Sequence, residues 1–385
     1  MRYNSRSRRS GMHAVQFLIS LGTITLPSPL SNHQLTQQIK TQARALGFDL
    51  VGVAPVHDSP ELAFFERWIE AGYAGEMHYL ARNMARRRDI RQVLPGAQSV
   101  VVCGLNYDTD YPYSTTQDDP LRGWIARYAW SNDYHDLMQD KLEKLRAYVA
   151  ARMPPDAAGK LYVDTGPVVE RVYAKYAGLG WFGKNTCLID KRLGSWLYLG
   201  ELILTIPLLY DRPTTDHCGT CTRCIDACPT EAILEPYVLD SKRCISYLTI
   251  ELKGAIPEDL RSQMGAHVFG CDICQDVCPW NRKRQFTIEP ELQPQPHQVH
   301  PPLAELARLT PQAFKQAFRG TALERSKRRG LLRNVCVAMG NSGQSAFIPL
   351  LEGLLDDEEA LVREHAAWAL AQLRQTEPAQ PSSLP

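Results

Sequence analysis

CGTCTRCIDACP, from Cys218 to Pro229, and CDICQDVCP, from Cys271 to Pro279, decide how this chain is read. The first stretch is C-x2-C-x2-C-x3-C-P without a misfit. Three thiolates on one tight loop cap three corners of an iron–sulfur cubane, while the fourth cysteine points at a second cluster. The second stretch is the returning half, and it departs from the pattern. Three residues before Cys271 stands Val268, so one ligand is missing, and Cys244 supplies it by way of a long connection. A crossed assignment of two [4Fe–4S] clusters follows. The first takes Cys218, Cys221, Cys224 and Cys278; the second takes Cys228, Cys244, Cys271 and Cys274. Zinc is the plain alternative, since CxxC pairs also bind zinc. It does not call for two Cys-Pro-terminated runs that cross over.

Those eight cysteines are drawn from eleven in a chain of 385 residues, too long for a bare ferredoxin and long enough for two or three domains. Tight cysteine spacing in a large chain reads as metal binding, whereas disulfides belong mainly to small secreted scaffolds. The other three, Cys103, Cys187 and Cys336, sit among apolar residues and read as buried, hydrophobe-like thiols. Hydrophobic residues are 44% and charged residues 22%, ordinary for a globular protein with a real core. A net charge of +1 leaves nucleic-acid binding to local patches. No stretch reaches about 18 uninterrupted apolar residues, so no membrane partner is expected.

Around the cysteine segment the pattern divides the chain. In residues 1–30, Arg8 and Arg9 precede a modest apolar run, Ala14 to Leu26, which superficially suggests twin-arginine export. No small-residue cleavage site is evident and Met12 is an alternative start. The segment is read as a disordered or misannotated leader and the protein as cytoplasmic. From Ser31 to about 210 helical and extended patterns alternate: HQLTQQIKTQARALG is a helix stopped at Gly47, FDLVGVAPV a strand, and SVVVCGLNY a buried strand. DYHDLMQDKLEKLRAYVAARM is a long amphipathic helix ended by Pro154–Pro155. KLYVDTGPVVERVYAKYAGLG gives strand, turn and helix, and WLYLGELILTI another strand. The fold class is multidomain α/β (α+β): an α/β domain at 31–210, a bacterial-ferredoxin-type insert at 211–290, and helices at 291–385. ELQPQPHQVHPPL reads as a Pro-rich linker. Beyond it, RGLLRNVCVAMGNSGQSAFIPLLEGLL and DDEEALVREHAAWALAQL read as two helix pairs of a short HEAT-like repeat that leans on its neighbours.

Neither a GxGxxG fingerprint nor a Walker loop marks an electron acceptor for the clusters. Four further stretches, together with the spacing of the eight cysteines, resemble epoxyqueuosine reductase. They are DTGPVVERVYAKYAGLGWFGKNT from Asp164, RDIRQVLPGAQSVV from Arg88, ARYAWSNDYHD from Ala126 and RCISYLTIELKG from Arg243. The resemblance runs from about Ser31 to the helical tail. It implies a base-off cobalamin in the α/β domain beside the two clusters, and removal of the epoxide oxygen from epoxyqueuosine at the tRNA wobble position, the last step to queuosine. It also implies that Asp164 of the DTG motif is the proton donor. A donor at neutral pH needs a raised pKa, as burial against a corrin would give; the plain alternative is that Asp164 caps the turn and helix that follow. Arg87, Lys184, Asn185 and Ser246 are carried over as cofactor contacts. Ile90 stands where the family usually has proline.

A tRNA partner needs a basic surface. The candidates are Arg325, Lys327, Arg328, Arg329 and Arg333 at the mouth of the helical repeat, Arg282, Lys283 and Arg284 after the second cysteine run, and Lys253 beyond Cys244. An external low-potential donor is needed to fill the clusters. A monomer is expected, because no extended coiled-coil pattern appears. Two rival readings are a corrinoid reductive dehalogenase, supported only by Arg8 and Arg9, and a pure electron carrier, which would leave Asp164 without work.

Overall fold

In the computed structural model, which describes residues 31–283 and 285–376, the first block is built on a four-stranded sheet. Its strands are β1 (Leu50–Pro55), β2 (Ser99–Asn106), β3 (Gly159–Tyr162) and β4 (Leu197–Leu204), laid side by side as β1-β2-β4-β3. Every neighbouring pair is antiparallel, with Val101 opposite Val53 on one side and Leu202 on the other. The α+β form of the expected class is therefore the one adopted. Strand direction is set by where each connection brings the chain back, and hydrophobic pattern carries no record of that.

β2 is buried along its whole length because it is central, which is why its sequence is a continuous apolar run. Side chains alternate across the sheet. One face, with Val53, Val101, Cys103 and Leu202, packs beneath α1 (Asn32–Ala45) and α2 (Tyr134–Ala150). The other, with Ala54, Val100, Val102 and Ile203, packs beneath α3 (Glu170–Tyr176). Local chemistry starts the helices where the sequence places them. Ser31 and Gln34 form a reciprocal capping box on α1, and the Asp133 side chain caps α2.

The cysteine segment contributes two short helical turns, Arg223–Asp226 and Ile273–Asp276, and α4 (Ile245–Ile250), which starts directly after Cys244. The Pro-rich stretch that follows is pinned along its length. Leu292 and Gln298 are buried, and the Gln295 N–H donates to the Trp130 carbonyl at 2.7 Å. Where the sequence suggests two helix pairs, the described residues hold one pair, α5 (Lys327–Asn341) and α6 (Ile348–Leu354), and a third helix, α7 (Ala360–Thr376). α7 stays unbroken because no glycine or proline interrupts it, and the acidic Asp356–Glu359 run sits at its positive end. α5 and α7 cross closely: a Cβ on Gly340 would stand 2.9 Å from the Ala369 Cα.

The largest hydrophobic cluster joins the three blocks. It takes Trp124 and Trp130 from the first, Ile245, Leu248 and Phe269 from the cysteine segment, and Leu331, Val335, Ala366 and Ala369 from the C-terminal helices. No helix among the described residues is long and apolar enough to cross a membrane. The expected leader at 1–30, the polar tail from 377 and Arg284 lie outside the described residues.

Candidate active site and cluster loops

The two cysteine runs fold back to back, each with its helical turn. Cys218, Cys221, Cys224 and Cys278 all line one cavity of about 210 Å3, closed by Ile189, His217 and Trp280. The Asp216 carboxylate accepts the Cys218 N–H at 2.7 Å and fixes the loop's entry. Lys184 donates to the carbonyls of Gly219 (2.8 Å) and Cys221 (2.9 Å). The second set gathers beside it: Cys271 lies within electrostatic reach of Cys244 and Cys228, and Cys274 within reach of Cys271 and Cys244. The Ala232 N–H points at the Cys228 sulfur at 3.3 Å. Burial pushes the Cys224, Cys244 and Cys278 thiols up to about 11, so a strongly cationic centre such as iron is needed to hold them as thiolates at neutral pH.

Two expectations gain detail here. Lys184 and Asn185 are committed to the cluster loops: both line the first cavity, and the Asn185 amide donates to the Cys274 carbonyl at 3.2 Å. Both therefore sit at the clusters beside which the resemblance places the cofactor. Cys187 is not an isolated apolar thiol, because it lies within interaction range of Cys274. Cys103 and Cys336 are fully buried as expected. Asn281, three residues past Cys278, fastens the loops to the sheet block. Its side-chain Oδ1 accepts the Ser195 N–H at 2.8 Å, and its side-chain Nδ2 donates to the Ser195 hydroxyl (3.0 Å) and the Gln275 carbonyl (2.7 Å).

Asp164 follows β3 in a tight turn at φ +53°, the left-handed region that Asp tolerates better than most residues. The Thr165 N–H closes the turn on the Val163 carbonyl at 2.5 Å. Asp164 does not cap α3, whose N-cap position is Val169. Its half-exposed carboxylate faces His135 instead, with Oδ2 3.6 Å from Nε2. Nδ1 of the same ring is 2.6 Å from Asp133, which also caps α2. An Asp133–His135–Asp164 row results. The hydrogen bond to Asp133 and the nearby Asp164 carboxylate push His135 up to about 9, and His135 in turn holds Asp164 below the usual carboxylate range. The upward shift expected of Asp164 under a corrin does not arise from the protein alone. His135 was missed because its role comes from the helix start that delivers it, 29 residues before its partner; the only local signal was Asp-x-His.

Arg87 and Arg325 converge on the same mouth from opposite ends of the chain. Arg87 donates to the Val168 carbonyl at 3.5 Å, its buried Nε has no hydrogen-bond partner, and both Tyr79 and Asp164 attract it. Arg325 pairs with Glu251 at 2.6 Å, reaches the Tyr79 hydroxyl at 3.3 Å and is attracted to Asp164. Ser246 is half-buried at the start of α4, next to Cys244.

The basic candidates divide by burial. Lys253, Arg282, Lys283, Arg325 and Lys327 are exposed and Arg329 half-buried. Arg328 is tied to Asp357 at 2.6 Å and to the Leu309 carbonyl at 2.6 Å. Arg333 is corrected outright. It is 1% exposed and donates to the carbonyls of Leu248, Leu252 and Gly254, so it bonds the C-terminal helices to the segment after Cys244 and has no face for RNA.

Paired thiol loops and a charged acid–base row in one chain are the parts of an iron–sulfur oxidoreductase. The comparisons with known proteins carry this further. The model of a 4Fe-4S double cluster binding domain matches residues 217–281, and that of epoxyqueuosine reductase QueG, DUF1730, matches 87–165. An epoxyqueuosine reductase of Xanthomonas campestris is 43% identical over 338 residues, covering 87% of this chain and 95% of its own. A crystal structure of epoxyqueuosine reductase with a tRNA-Tyr epoxyqueuosine-modified stem loop superimposes with a TM-score of 0.81 at 31% identity, covering 89% of this chain and 91% of that one. A Bacillus subtilis epoxyqueuosine reductase, described with its catalytic aspartate loop swung out of the active site, gives 0.80 at 30% identity, covering 89% and 91%. This chain belongs to the epoxyqueuosine reductase family.

Proposed function

We propose that the chain reduces epoxyqueuosine to queuosine at the wobble position of tRNA anticodons, with Asp164 delivering a proton to the departing oxygen. The Asp164–His135 pair carries this reading: an acid–base couple at a mouth that also gathers Arg87, Tyr79 and Arg325. At neutral pH the proton rests on His135 and Asp164 is ionised. When substrate covers the mouth and expels water, the separated charges lose their solvation. The proton then passes from Nε2 to Oδ2, and a neutral Asp164 faces the epoxide oxygen. His135 both stores the proton and aims the carboxyl.

Cobalamin fits this neighbourhood on one observation. Arg87 Nε is a buried nitrogen without a hydrogen-bond partner, suited to a carboxamide oxygen of the kind that fringes a corrin. Arg87, Asp164 and Ser246 would hold it. When bound it supplies a low-potential cobalt centre that takes electrons singly and can attack or coordinate a strained ring. Electrons from an external low-potential donor would come through the clusters, ligated in the crossed pattern. Residues 31–210, 211–290 and 291–385 serve as catalytic, cluster-bearing and HEAT-like helical units. Arg325, Lys327, Arg329, Lys253, Arg282 and Lys283 are the residues for tRNA phosphates.

The test is anaerobic reconstitution with iron, sulfide and cobalamin, assay on epoxyqueuosine-containing tRNA with a strong reductant, and mass spectrometry of the nucleosides. Queuosine formed by the wild type and lost in Asp164→Asn, with clusters and corrinoid still bound, is the expected result. An active Asp164→Asn enzyme would remove Asp164 from the role.

A further inference from the structure

A second acidic group lies behind Asp164, outside the row that Asp133, His135 and Asp164 form. Glu201 is at the centre of β4, 0% exposed, and neither carboxyl oxygen finds a hydrogen bond of good geometry. It stands in register between Val102 on β2 and Tyr162 on β3, on the sheet face covered by α3. The group that faces it is the carboxyl of Glu170, the first residue of α3. Glu170 in turn accepts the backbone N–H of Asp164. The other charged groups that bear on the pair are Asp164 and Arg171, and Arg171 is drawn away to the Thr186 carbonyl. A carboxylate so buried without a cation is untenable, so the group is neutral. Burial pushes Glu170 up to about 8 and Glu201 further in the same direction. For packing alone, an apolar side chain of similar volume would serve better at Glu201.

The reaction supplies a use. Two C–O bonds of the epoxide break and a C=C bond forms. Two electrons arrive from the low-potential donor, and the oxygen leaves as water with two protons. The Asp164–His135 pair holds one proton, and bound tRNA closes the mouth to solvent. We infer that the Glu170–Glu201 pair stores the second proton and reloads Asp164 with it before water departs. Two carboxyls suit this better than one. After one proton leaves, the other is shared between them and steadies the remaining charge. The pair refills from solvent when the site opens. It acts through Asp164, and the inference rests on the Asp164 reading above.

The experiment compares wild type, Glu201→Gln, Glu170→Gln and Asp164→Asn as reconstituted full-length enzymes in single turnover across pH, together with infrared difference spectra of resting and reacted enzyme in H2O and D2O. Wild type should show a carboxylic-acid C=O band that shifts in D2O, and each glutamine variant should weaken it. Each glutamine variant should keep clusters and tRNA affinity, lose on the order of 100-fold in rate, and lose the fall near pH 8 while keeping the one nearer pH 9 that His135 sets. A wild type without a protonated carboxyl band overturns the inference whatever the variants do. So does an inactive Asp164→Asn alongside glutamine variants of unchanged rate and pH profile, an outcome that leaves Asp164 as the acid. An active Asp164→Asn overturns both readings together.

Discussion

At the scale of the residue, the site is governed by who holds the proton. His135 has its folded pKa raised from 6.5 to about 9. The stabilisation it draws from Asp133 and Asp164 is therefore fully present below about pH 6.5 and is lost as pH rises through about 9. Activity should fall over the same alkaline window. His135→Gln should remove that limb and lower the neutral-pH rate by about 10- to 100-fold, as a pH–rate series on both proteins would read. Asp164→Asn is the clean partner variant, because Asn accepts the left-handed backbone at φ +53° while Ala strains it. Glu201 behaves in a related way with respect to folding. Its folded pKa lies above the unfolded value, so its favourable contribution is present in acid and fades as pH rises. Glu201→Gln should thus melt higher than wild type at pH 8.5 and show little advantage at pH 5; the reverse order would contradict its buried, protonated state. The sequence marked Asp164 by its motif. The direction of its pKa was illegible, because that depends on an imidazole brought alongside by a different element.

At the scale of the element, the parts legible in sequence were those governed by local rules. The capped start of α1, the central strand β2 and the Pro-terminated α2 all stand where pattern puts them. The spacing of the cysteines likewise brought four of them to one cavity. The antiparallel order of the sheet and the single third helix at the C-terminus were not legible, since both depend on how distant segments meet. The joint between the sheet block and the cluster loops was equally silent. Gly194, at φ +71°, lets Asn281 approach so closely that a Cβ would stand 1.9 Å from its Oδ1. Asn281→Ala leaves the buried Ser195 N–H without a partner and removes one of the bonds to the Gln275 carbonyl, at a cost of about 1–3 kcal/mol. Gly194→Ala pushes the same two elements apart. Both variants should release iron faster than wild type under chelator while Asp164 and His135 keep their places; equal release rates would show that the clamp does not guard the clusters.

At the scale of the whole molecule, charge runs and packing separate two kinds of arginine. Arg333→Ala removes the donor to three carbonyls, that of buried Leu248 and those of half-buried Leu252 and exposed Gly254, and should destabilise the protein by about 1–3 kcal/mol. It should leave the salt dependence of tRNA binding untouched. Alanine at Lys327 or Arg329 should instead reduce the slope of log affinity against log salt by about 0.7–0.9 for each phosphate left without its cation, with little change in melting. Binding isotherms at several salt concentrations separate the two classes. In the sequence Arg333 and Arg329 belong to one basic run, and only the turn of α5 that carries one of them inward tells them apart. The same inward turn belongs to a core that passes from Trp124 through Phe269 to Ala369 without a seam. Such a gene is not a string of exchangeable cassettes. Recombination that imports a foreign cluster segment must import the matching helices with it, and a break at residue 290 would yield a sticky fragment where a modular enzyme would yield a working half.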